Sequence, residues 1–172
     1  MPHELPGDPS ATVIEWRSSG GFSASDVDEP DLVVRADGTV TVGPRFGGGV
    51  ASTGQLAPAR LQALLDAIID GHRFFDFDPA QVETAVKAAR AARADIGADE
   101  PTIAVPPGPP YIDAGDTHLT VNADGRRHEV RWHGLVAAAR EHPGVVELQD
   151  LRAVEEALVE LADAVASGQD DC

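Results

Sequence analysis

Five stretches of the chain alternate apolar and polar positions, the period of a strand with one buried face. In the first, residues 12–17, Ile14 and Trp16 share a face and Val13 lies opposite. Residues 31–35 (DLVVR) and 39–43 (TVTVG) are separated by Ala36-Asp37-Gly38, a turn in which glycine accepts a positive φ. A three-residue loop sets Leu32 opposite Val42 and Val34 opposite Val40, gathering four branched residues on one face. Residues 117–122 and 126–133 form a second hairpin around Ala123-Asp124-Gly125, with Leu119 facing Val130, Val121 facing His128 and Thr117 facing Trp132. Its other face carries His118, Thr120, Arg127, Glu129, Arg131 and His133. The glycine-rich stretches 18–30 and 43–54 read as loops.

Between the hairpins the period changes to that of a helix. Pro58 suits a first helical position, and Leu61, Leu64, Leu65 and Ile68 recur at helical spacing up to a stop at Gly71-His72. The aromatic run RFFDFD places Phe74 and Phe75 beside that helix, with Asp76 turned outward. Asp78, Pro79 and Gln81 open a second helix over 79–95, alanine-rich, with only Val82, Val86 and Ala89 as a stripe. Residues 97–115 hold five of the 13 prolines and no lasting period, so they read as an extended connection. After a short helical piece at 135–142, Leu151, Val154, Leu158, Leu161 and Val165 mark a strong helix over 148–166. Its alternating steps of three and four span about two heptads, too few for a coiled-coil seam, and favour core packing over a dimer face.

The pattern predicts one α+β domain over 12–166: a curved antiparallel sheet of about five strands with amphipathic helices on one face. Residues 1–11 read as a disordered N-terminal tail and 167–172 as an acidic one. The 172 residues suffice for a single core. With 13 basic and 29 acidic residues the net charge is -16, which opposes nucleic acid and anionic membranes. From position 141 on there are nine acidic residues and one basic, the solvated back of the last helix. Cys172, in the polar end SGQDDC, is the single cysteine, so no internal disulfide forms. No leader pattern and no apolar run of membrane length occurs, and a soluble cytoplasmic protein is the simplest reading.

Candidate chemistry is sparse. A phosphate loop needs glycines feeding a helix N-terminus, but Gly20-Gly21 runs on into DVDEP, whose carboxylates repel phosphate. Gly47-Gly48-Gly49 is not followed by the Gly-Lys pair of a nucleotide loop. Asp113, Asp116, His118 and His133 form the best oxygen and nitrogen donor set, yet they lack a strong metal-binding spacing, and no cofactor or tightly bound metal is expected. No nucleophile elbow or Ser-His-Asp relay is visible, and His128 on the apolar face reads as a hydrogen-bonded core histidine.

The order of elements carries a resemblance. A strand ending in Ser19-Gly20-Gly21-Phe22, a helix running into Phe74-Phe75, and the hairpin 117–133 resemble small bacterial α+β proteins of the emfourin type, inhibitors of thermolysin-like metallopeptidases. The resemblance covers about two thirds of the chain. It implies a peptidase as the class of partner, with the Gly-Gly-Phe turn as the first candidate to enter a cleft. The chain departs from the pattern in DVDEP after the glycines, the inserted segment 79–112 and the acidic C-terminal extension.

The functional expectation is therefore a non-catalytic protein-binding domain, monomer or weak homodimer, contacting its partner through Ser19, Gly20, Gly21, Phe22, Asp26 and Asp28. Two alternatives stay open. One is a small metal-dependent hydrolase using Asp113, Asp116, His118 and His133; the other is a structural subunit dimerising through its last helix.

Overall fold

The computed structural model describes residues 2–19, 29–46, 48–96 and 115–168. Six strands form one open antiparallel sheet: β1 (Thr12–Ser19), β2 (Leu32–Arg35), β3 (Thr39–Val42), β4 (Ser52–Gln55), β5 (Asp116–Ala123) and β6 (Arg126–His133), in the order β4-β3-β2-β1-β5-β6. Both hairpins have the registers that their apolar patterns require. Leu32 pairs with Val42 and Val34 with Val40, all four fully buried. In the second hairpin Thr117, Leu119 and Val121 pair with Trp132, Val130 and His128. Its loop is the two residues Asp124 and Gly125, both at positive φ, the backbone of a tight hairpin turn.

The sixth strand, β4, is the element that the periodicity does not show. Ser52-Thr53-Gly54-Gln55 has no apolar residue because it is an edge strand, and polar side chains protect such an edge from pairing with another chain. Gly54 lies directly beneath a helix: a Cβ there would come within 3.0 Å of Val165 Cγ2. Val13, expected on the outer face, is also buried, since the register shifts between Thr12 and Ile14 and turns it away from strict alternation.

Helix α1 (Pro58–Leu65) runs on into a π-helical turn, Asp66–Gly71, which ends where His72 N–H donates to the Ala67 carbonyl. Leu61, Leu65, Ile68, Ile69 and Phe74 are buried, whereas Leu64 and Phe75 are only partly covered. Helix α2 (Pro79–Ile96) starts at Asp78, whose Oδ1 accepts from Ala80 N–H at 2.9 Å while the Gln81 amide donates to Oδ2 at 3.1 Å. Among its described side chains it buries Val82 and Val86, with Ala85 and Ala89 partly covered. Helices α3 (Leu135–Glu141) and α4 (Val146–Ala166) complete the layer. The α4 stripe is Leu148, Leu151, Val154, Leu158, Ala162 and Val165, with Leu161 half covered. It faces the sheet of its own chain, the outcome favoured by so short a heptad run.

The segment before β1, read as a free tail, is tied down from His3 onward. The Gln62 side chain brackets His3, accepting from its N–H at 2.8 Å and donating to its carbonyl at 3.1 Å. Asp124 takes the His3 ring at Nδ1 (2.7 Å) and the Glu4 N–H (2.7 Å), and these bonds hold its carboxyl below the ordinary carboxylate range. Nothing in the polar string MPHELPGDPS marks these ties, because they are made one residue at a time to distant elements.

His142 gives the fold a pH dependence. Its side chain is fully buried, neither ring nitrogen has a hydrogen-bond partner among the described residues, and burial pushes its pKa below the ordinary 6.5; Glu141, at 3.8 Å, pulls the other way without prevailing. The unfolded chain takes up a proton at this residue near pH 6.5 and the folded chain does not, so stability is lost as pH falls below that value. Urea unfolding at pH 7.5 and 5.5 should show a smaller loss in His142→Leu than in the parent. Equal losses would contradict the burial argument.

Candidate functional site

At the end of the sheet where β1 finishes and β5 begins lies a cavity of about 820 Å³. Trp16 and Ser18 come from β1, Thr117 from β5, Leu135, Val136 and Arg140 from α3, and Glu155 and Val159 from α4. Arg45 and Phe46, from the loop after β3, close one side, with the Phe46 ring 5.5 Å from that of Trp16. The walls are therefore largely apolar with a few placed polar groups, the usual composition of a binding site.

Two of those groups are unusual for an interior. Glu155 is about nine-tenths buried and accepts a 2.6 Å hydrogen bond from the Thr117 hydroxyl, itself buried. A buried carboxylate is rare unless something pairs with it. The Trp16 indole N–H is buried with no acceptor among the described residues, although buried indoles normally find one. Arg140, exposed at the rim, makes no ion pair among the described residues.

The end of β1 is also locked in place. Ser18 N–H donates to Asp31 Oδ2 at 2.6 Å, and the Ser18 carbonyl accepts from Arg45, whose guanidinium lies 3.5 Å from the same Asp31 oxygen. Asp31 is almost wholly buried. These two residues hold the backbone of Ser18 at the end of β1.

Of the predicted contact residues, Ser19 is the last residue of β1 and is exposed, one residue beyond Ser18 of the cavity lining. Gly20, Gly21, Phe22, Asp26 and Asp28 lie outside the described residues, as does Asp113. The remaining donors of the predicted metal set share one face of the second hairpin but are engaged separately. Asp116 Oδ1 meets His133 Nδ1 at 2.7 Å, while His118 Nε2 contacts Glu129 at 3.0 Å. Arg131 forks onto Glu129 and holds its carboxyl below the ordinary range, so the face is a cross-strand ladder of charges. His128 is half-buried at the margin of the core and hydrogen-bonded: Nε2–H donates to the Phe77 carbonyl at 3.1 Å, and the ring meets that of Phe74 edge-on.

In comparisons with protein-family models, curated proteins and solved structures, none matches the chain. The geometry alone then carries the functional argument. The described lining contains no histidine, cysteine or lysine, so its polar side chains are two carboxylates, two guanidinium groups, two hydroxyls and an indole N–H. The sequence reading did not single out Trp16, Thr117, Glu155, Arg45 or Asp31 as contact residues. The one available signal was Glu155, a charge between Val154 and Leu158 on an otherwise apolar stripe.

Proposed function

We propose that this chain is a non-catalytic protein-binding domain whose cavity beside β1 receives an apolar side chain of its partner. The observation that carries the reading is the buried Trp16 N–H, which has no acceptor among the described residues, in a largely apolar cavity. A partner carbonyl or carboxylate satisfies that donor, and Arg45 and Arg140 suit a partner that brings an oxygen anion. The adjoining segment 19–28 supplies a second contact, with Phe22 as an anchor and Asp26 and Asp28 meeting a basic rim. The resemblance to emfourin-type inhibitors supports a metallopeptidase as the partner class.

Two assays test this. Inhibition of a thermolysin-like metallopeptidase by the purified chain, lost in Phe22→Ala at an unchanged melting temperature, is the expected result. Absence of inhibition removes that partner class. A lower melting temperature for Phe22→Ala with inhibition intact would instead make Phe22 a structural plug of the sheet edge.

A further inference from the structure

We infer that His3, Asp66 and Asp70 form a binding site for a divalent transition ion of the zinc class, held in place by Asp124. The inference does not rest on the proposed binding function. His3 Nε2 is buried and has no hydrogen-bond partner among the described residues, yet it points at two carboxylates: Asp66 Oδ1 lies 3.3 Å away and Asp70 Oδ2 3.7 Å. Neither approach has hydrogen-bond alignment. A nitrogen lone pair set against two carboxylate oxygens is repulsive, and a cation among the three atoms reverses the sign of the interaction.

The spacing fits. Ligand atoms each about 2.0–2.2 Å from a tetrahedral ion lie roughly 3.3–3.6 Å from one another. Here the three donor atoms lie within 4.8 Å of one another, with both nitrogen-to-oxygen separations close to the tetrahedral range.

The surroundings are those of a ligand histidine. Asp124 Oδ2 is 2.7 Å from His3 Nδ1 and, being a carboxylate, accepts its proton, which directs the Nε2 lone pair outward. Gln62 fixes the His3 backbone through both of its polar groups. Asp66 and Asp70 come from the π-helical turn, which keeps Ile68 and Ile69 in the core while leaving the two carboxylates exposed on the same side as His3. Three protein ligands with solvent access leave a fourth position for water. An ion there joins the N-terminal segment to the π-helical turn after α1 and, through Asp124, to the second hairpin.

The test uses untagged full-length protein, stripped with chelator and titrated with zinc chloride by calorimetry, with cobalt(II) as a spectroscopic probe. The expected result is one zinc per chain, a higher melting temperature when loaded, and visible cobalt absorption of a four-coordinate site. His3→Gln and the surface variant Asp70→Asn should each abolish the saturable step with circular dichroism unchanged. Asp124→Asn, which tolerates the left-handed backbone of that turn, should weaken binding about 10–100-fold. His118→Ala should leave it intact. Absence of a saturable step, affinity unchanged in His3→Gln, Asp70→Asn or Asp124→Asn, or loss confined to His118→Ala would each overturn the assignment.

Discussion

Leu65→Ala is expected to lower the unfolding free energy by about 2–5 kcal/mol. Leu65 closes α1 where the π-helical turn begins, has no exposed surface, and belongs to the same cluster as Leu61, Ile68 and Phe74. Removing its branched end forfeits the transfer energy of the lost carbons and leaves a void that a helix pinned on both sides cannot close. Chemical denaturation provides the check, and a change below about 0.5 kcal/mol, the level of an ordinary surface site, would contradict the placement. Leu64→Ala, one residue earlier and only partly covered, should cost clearly less.

Trp16→Ala should cost about 3–5 kcal/mol, because the indole is almost fully buried on the central strand β1 and packs against Phe46. Trp16→Phe separates packing from hydrogen bonding. It keeps an aromatic ring but removes a buried donor that lacks an acceptor among the described residues, an unmet group worth about 1–3 kcal/mol. Lost contact area and removed desolvation cost oppose each other, so the net loss should be much smaller than for alanine. A loss equal to that of Trp16→Ala would mean that the N–H is satisfied in solution and does not await a partner.

The hairpins were legible in the sequence because register in a half-buried sheet follows from where the branched residues stand. Once Ala36-Asp37-Gly38 is taken as a three-residue loop, Leu32 has nowhere else to pair. The start of α2 was equally legible, since Asp78, Pro79 and Gln81 act within one turn. β4 was hidden because an edge strand shielded by its own polar residues carries no period. The cavity was hidden for a different reason. Trp16, Phe46, Thr117, Leu135 and Glu155 are contributed by five separate segments, and each has an ordinary local role as a strand, loop or helix residue. The His3 cluster is similar: its ring is buried only because Gln62 and Asp124, far away in the chain, capture it.

The proposed binding role is tested most directly by filling the cavity without disturbing the core. Ala137 lines the cavity from the first turn of α3 and is only half buried, so Ala137→Trp places a ring in the opening. Val50→Trp, at an exposed site away from the lining, controls for an added aromatic. The two variants and the parent are used side by side to capture proteins from native lysate, with mass spectrometry as readout and melting temperatures matched beforehand. The predicted result is a protein enriched by the parent and by Val50→Trp and absent with Ala137→Trp. Capture of the same proteins by all three would contradict a binding role for this cavity.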